Sequence, residues 1–315
     1  MEGKDYVLPE FFNLDPNIGG HQSLLIGNSG QGKTTLMEYF TMLAVSGKNI
    51  YNKNREKQAA LWRARKHDRY LDFVNLKIGR LMFPRNSSFL LQKIWPKEDG
   101  GSVQTITMND LEEEGIDYGF FDDASDLVKK MEPGIVSIIM WPLGKSLEDR
   151  IKETEFYGDL FAALNNRTDE NWIHVAIDEA GDILTANMKG SFLTNLHLVL
   201  EVSDFRKNNI NSIFGTHRAS NLDYRVLGKL PYHIYKMGAT KIDGDARKVS
   251  QNRINSLRKE QAVIIEGAFW DDFTYPDVPH QEKIKYRLQT TSQTFTVEKV
   301  DDVQFNTKKG RKNDK

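Results

Sequence analysis

The chain has 315 residues, enough to bury a sizeable core as one large domain with an insertion, and its 39% hydrophobic and 28% charged residues fit a soluble globular protein. Lys and Arg number 43 against 44 for Asp and Glu, a formal charge of -1 that neither requires nor excludes a polyanionic partner. The absence of cysteine excludes disulfide scaffolds, thiolate metal sites and thiol catalysis; with no basic-then-apolar leader and no run of about 18 apolar residues, a cytoplasmic chain without a membrane span of its own is expected.

Turn formers Pro9, Pro16, Gly19 and Gly20 predict an irregular lead-in over residues 1–23. The apolar SLLIG then reads as a strand that runs into GNSGQGKTT. Behind it Leu36, Met37, Phe40, Leu43 and Ala44 recur at helical spacing, so the order is strand, glycine loop, helix. Residues 48–80 are rich in helix formers and dense in Lys and Arg, which predicts a basic helical insertion. FLLQKIW and VQTITM predict short strands, either a small accessory sheet or edge strands.

GIVSIIMWP reads as a buried strand and LEDRIKETEFYGDLFAALNN as the helix that crosses back from it. WIHVAIDEAG is a second buried strand, ending in two carboxylates, and a helix through FLTNLHLVLEVSDFRK follows. NINSIFGTHR and YHIYKMG read as further strands, DGDARKVSQNRINSLRK as a helix and AVIIEGAFW as a last strand. Strand–helix alternation with unbroken apolar strands predicts a three-layer α/β fold with a mainly parallel sheet.

Gly27, Asn28, Ser29, Gly30, Gln31, Gly32, Lys33 and Thr34 satisfy G-x-x-x-x-G-K-[ST] between a strand and a helix. Glycines let such a loop turn its backbone N–H groups towards phosphates, with the positive end of the helix dipole behind them. Lys33 is placed to reach the β- and γ-phosphates, Thr34 to ligate Mg²⁺, and Thr35 to continue the cradle. A second magnesium anchor and a group that orients water must come from a neighbouring strand. Asp178 and Glu179, at the end of VAIDEAG, suit those two roles. No guanine-reading Asn-Lys-x-Asp follows, so ATP is the expected nucleotide.

The order GNSGQGKTT, WIHVAIDEAG, DFRKNNINSIFGTHRASNLDYRVLGKL resembles the HerA and FtsK superfamily of DNA-pumping ATPases, over roughly residues 20–50 and 135–270. The resemblance implies a RecA-like, additional-strand P-loop NTPase domain. On that basis the domain is expected over 24–290 with an insertion over 51–110, then a C-terminal strand and basic mobile tail over 291–315. It further implies that Thr216 and His217 end a strand lying between the P-loop strand and the Asp178 strand and face the γ-phosphate, His217 replacing the usual Gln. Arg206 matches the family arginine that reaches a neighbouring subunit's nucleotide, with Arg218 as the alternative. Such a finger implies a homo-oligomer, in this family a hexamer, pumping double-stranded DNA and docking on a portal, a capsid or a membrane machine. A motor for protein export or virion assembly is the rival reading.

DNA contacts are sought first on the basic stretch, at Lys48, Lys53, Arg55, Lys57, Arg63, Arg65, Lys66 and Arg69, with Tyr51, Trp62 and Tyr70 among them. Trp62 and Leu61 packing on the core is the alternative. The remaining histidines have no metal-ligand spacing.

Overall fold

In the computed structural model, described over residues 7, 11–47, 56–64, 70–85, 89–95, 101–141, 147–185, 192–245, 248–276 and 285–290, the chain builds around one twisted sheet. β1 (Gln22–Ile26) precedes helix α1 (Lys33–Ser46), and β2 (Ala59–Arg63) precedes α2 (Tyr70–Asn75). β3 (Gly79–Pro84), β4 (Phe89–Ile94), β5 (Val103–Ile106), α3 (Met108–Glu113), β6 (Tyr118–Phe121) and α4 (Ala124–Lys129) follow. The second half runs β7 (Val136–Ile139), α5 (Leu147–Asn165), β8 (Ile173–Ile177), α6 (Phe192–Asp204), β9 (Ile210–Thr216), α7 (Tyr224–Leu227) and β10 (Tyr232–Tyr235). It ends with α8 (Gln251–Asn255), β11 (Gln261–Glu266), β12 (Phe269–Thr274) and β13 (Lys285–Thr290).

The main sheet is ten-stranded in the order β12-β11-β10-β1-β9-β8-β2-β7-β3-β6. Every pairing from β10 to β6 is parallel, and only β11 and β12 add antiparallel strands at one edge. Buried parallel strands have apolar side chains on both faces, and each face here has its own core. Leu24, Ile26, Val175 and Ile177 meet Tyr157, Leu160 and Phe161 of α5 and Leu198 and Val202 of α6. Leu25 and Ala176, pointing the other way, meet Leu36, Met37 and Phe40 of α1. The result is the three-layer α/β architecture expected from the strand–helix alternation.

The structure corrects the reading of residues 48–80. AALWR is a fully buried strand, paired in parallel with β8 on one side and β7 on the other. Helix propensity and flanking charge suggested otherwise, but Leu61 and Trp62 gain more from burial inside the sheet than helix propensity offers. β3 also belongs to the main sheet, whereas β4 and β5 leave it and form with β13 a three-stranded antiparallel sheet in the order β13-β4-β5. AVIIEGAFW is a hairpin rather than one strand, because Gly267, at φ 53°, turns the chain so that Glu266 faces Phe269. The expected helix over DGDARKVSQNRINSLRK is reduced to a turn at Asp243–Asp245 and the short α8, which Ser250 caps at Arg253 N. The tail over 291–315 lies outside the described residues, as do Lys48, Tyr51, Lys53, Arg55, Arg65, Lys66 and Arg69.

Candidate functional site

The glycine loop leaves the carboxyl end of β1 near the middle of the sheet. It is anchored on both flanks: Gly27 N–H donates to Thr216 O at 3.2 Å on the β9 side, and Asn28 Nδ2 donates to Gly238 O at 3.0 Å on the β10 side. Gly30 and Gly32 take φ of 76° and 79°, which side-chain-bearing residues rarely adopt. A Cβ at Gly32 would lie 2.9 Å from the Tyr275 hydroxyl. Asn28, Ser29 and Gly30 are exposed, whereas Lys33 and Thr35 are buried. No side chain caps the start of α1, so its first N–H groups are left for an anion.

Asp178 extends one residue beyond β8, and Oδ2 accepts from Thr34 Oγ1 at 2.7 Å. Its other oxygen accepts from Glu179 N at 2.9 Å. Gly215 on β9 makes room for it, since a Cβ there would lie 2.7 Å from Asp178 Oδ1 and 2.8 Å from Met37 Sδ. A hydroxyl and a carboxylate converging at a helix start form a hard-oxygen pair that fits Mg²⁺, which keeps waters and phosphate oxygens as its remaining ligands. The described residues contain no group of three or more His, Cys, Asp or Glu that could hold a metal without substrate.

Glu179 adopts the left-handed conformation, φ 51° and ψ 47°. The turn carries its carboxylate to His217, with Oε1 2.8 Å from Nε2. On the other side of the ring Nδ1 lies 3.1 Å from Lys33 Nζ and 3.2 Å from Gly27 O. Nδ1 can accept from the Lys33 ammonium or, when it carries the proton, donate to Gly27 O, and a proton on Nε2 is donated to Glu179. Burial lowers the Lys33 pKa, while the nearby Asp178 and then Glu179 act in the opposite direction.

β9 lies between β1 and β8, which puts Thr216 and His217 beside the loop. Only the histidine side chain reaches Lys33. The Thr216 hydroxyl is buried and donates to Arg218 O at 3.0 Å. Arg218 is exposed just beyond His217. Arg206 is also exposed but sits before β9, at the opposite end of the strand from the loop of its own chain, and donates through Nε to Ile18 O at 2.9 Å. It therefore cannot serve the nucleotide of its own loop.

Two groups beneath the loop escaped the sequence reading. Lys236, at the end of β10, is fully buried and donates to the carbonyls of Lys259 and Gln261 and to the Tyr275 hydroxyl. Tyr275 in turn lies 3.1 Å from Gly32 O. Burial pulls the Lys236 pKa down to about 7, with Glu260 opposing and Lys259 adding to the shift. The signal in the sequence was a lone lysine closing the apolar strand YHIY, which has no meaning until β10 is known to neighbour β1. Among the expected DNA contacts, Lys57 is exposed, whereas Arg63 and Trp62 are buried in the sheet and cannot touch DNA.

A parallel α/β sheet with a glycine loop at the end of a central strand, and with carboxylates one strand beyond its neighbour, defines the P-loop NTPase fold. No protein-family model and no curated protein sequence matches this chain. Among solved structures it is similar to the genome packaging NTPase B204 from Sulfolobus turreted icosahedral virus 2 in complex with ATP-gammaS, at 13% identity over 84% of this chain and 100% of that one, TM-score 0.41. It is similar also to the pCW3 conjugation coupling protein TcpA, at 12% identity over 81% of this chain and 60% of that one, TM-score 0.40. A third is the N-terminal domain of zonular occludens toxin from Neisseria meningitidis, at 14% identity over 90% and 98% of the two chains, TM-score 0.29.

Proposed function

We propose that this protein is an oligomeric, Mg-dependent ATPase motor of HerA/FtsK type that moves double-stranded DNA. The observation that carries the ATPase part is the linked set Lys33, His217 and Glu179 beside the Thr34–Asp178 pair. The loop N–H groups and Lys33 bind the phosphates, and Lys33 exchanges His217 for phosphate oxygens as it does so. Thr34 and Asp178 would hold Mg²⁺, which would supply charge neutralisation for the phosphates. Glu179 orients and polarises the attacking water, and His217 keeps that carboxylate aimed at the γ-phosphate side of the loop. The geometry of Arg206 supports action on a neighbouring subunit's nucleotide, as an oligomeric motor requires, and Arg218 remains the alternative from the phosphate end.

The DNA part rests on the sequence resemblance. ATP turnover by the purified protein, measured with and without long duplex DNA over a salt series and with Lys33→Ala as blank, tests it. Stimulation that fades as salt rises supports a DNA motor. Turnover indifferent to DNA replaces it with a motor for polypeptide export or virion assembly, and turnover no greater than the blank removes the ATPase reading.

A further inference from the structure

A buried arginine stands behind the two carboxylate-bearing residues. Arg63 closes β2 one strand away from Asp178, and its side chain is 0% exposed. Nε and Nη2 donate to Glu153 Oε1 of α5 at 2.9 and 2.7 Å. Nη1 reaches the carbonyl oxygens of Asp178 at 3.2 Å and Glu179 at 3.4 Å, and Asp182 Oδ2 is 3.9 Å away. The ring of Tyr157 closes the pocket, 5.8 Å from the guanidinium carbon.

Burying a guanidinium carries a desolvation cost of several kcal/mol, and apolar residues of the same volume usually serve stability as well or better. The peptide unit it grips is the one that needs a grip. β8 ends at Ile177, and its last partners are Trp62 of β2, opposite Ala176, and Phe214 of β9, opposite Ile177, so Asp178 and Glu179 lie beyond the strand ladder. Glu179 is moreover held at a positive φ that a non-glycine residue leaves unless its surroundings hold it. A fork anchored at one end by Glu153 and donating at the other to consecutive carbonyls fixes the direction in which the Glu179 side chain leaves the turn.

We propose that Arg63, braced by Glu153, is a positioning residue for catalysis: it locks the Asp178–Glu179 turn so that Glu179 points at the nucleotide. The proposal rests on the ATPase reading above. Among the described residues, the hydrogen bonds and ion pairs of Arg63 go to Glu153 and the Asp178–Asp182 turn, not to the phosphate loop or Thr34.

The test compares wild type, Arg63→Lys, Glu153→Gln and the double variant Arg63→Met with Glu153→Leu, which removes both charges together and so avoids leaving one buried alone. Steady-state ATP turnover, affinity for a non-hydrolysable ATP analogue and thermal melting are read for each. The expected result is a kcat lower by about 10–100-fold in the folded double variant, with KM and analogue affinity within about threefold of wild type. Arg63→Lys, which keeps a charged donor for Glu153 but cannot serve both carbonyls, is expected to recover part of the rate. A folded double variant with kcat within about twofold of wild type overturns the proposal. So does a loss of rate that merely follows a loss of analogue affinity. If wild type itself hydrolyses ATP no faster than Lys33→Ala, the ATPase reading fails and the positioning role falls with it, an outcome distinct from active wild type with active variants.

Discussion

His217 Nε2 and Glu179 Oε1 are 2.8 Å apart, and the two side chains are 38% and 33% exposed, so solvent water reaches the pair while both remain held. The same ring contacts Lys33, so one residue links the glycine-loop lysine to the Glu179 carboxylate. Truncation to His217→Ala is expected to lower kcat by about 10–100-fold with a smaller change in nucleotide affinity. His217→Gln, whose amide can still donate to Glu179 and accept from Lys33, is expected to stay within about tenfold of wild type. Single-turnover rates with saturating ATP distinguish the two, and equal losses would show that the ring itself matters rather than its hydrogen bonds.

Magnesium removal follows from the Thr34–Asp178 pair. Chelation is expected to bring turnover down to the Lys33→Ala level. Asp178→Asn, which removes the carboxylate charge from the pair, is expected to raise the magnesium concentration needed for half-maximal rate by about tenfold or more. A titration of rate against Mg²⁺ at fixed ATP reads this directly, and an unchanged midpoint would take Asp178 out of the metal site.

Lys236 gives the loop's underside a pH dependence. Its pKa is about 7 in the folded protein against an ordinary 10.5. Between these values the unfolded chain binds more protons than the native one, so this group's penalty is full below pH 7 and is relieved as pH rises towards 10.5. Wild type is therefore expected to gain melting temperature relative to Lys236→Met between pH 7 and about pH 9. Parallel curves would mean that the three acceptors around Nζ hold the ammonium charged throughout that range.

Gly215 tests the packing around the Thr34–Asp178 pair. A methyl group there would press on Met37 Sδ and on Asp178 Oδ1, which the Glu179 N–H holds in place, so the carboxylate must shift. Gly215→Ala is expected to cost about 1–3 kcal/mol of stability in denaturant unfolding. It should also raise the magnesium concentration needed for half-maximal rate more than a control substitution of equal cost elsewhere does.

Trp62 decides between a DNA-contacting helix and a core strand. It is 0% exposed and packs edge-on to Phe73 at 5.1 Å between centroids. Trp62→Ala is expected to destabilise by about 3–5 kcal/mol, seen as a lower denaturation midpoint. A variant as stable as wild type but weaker on DNA would contradict the buried position.

The placement of the Gly27–Thr34 loop between a strand and a helix, and of Asp178 and Glu179 at the end of a buried strand, was legible in the sequence, because the glycine motif and the apolar runs beside it fix those local contexts. The layered α/β class was legible for a related reason: buried parallel strands leave unbroken apolar runs. Residues 59–63 were misread because their burial depends on neighbours far away in sequence, β7 and β8, and local propensity cannot report those. Tertiary structure alone joined His217 to Lys33 across 184 residues, put Arg63 under the Glu179 turn and set Lys236 beneath the loop. Each is an ordinary polar residue at a strand end, and its role is decided by which strands lie side by side.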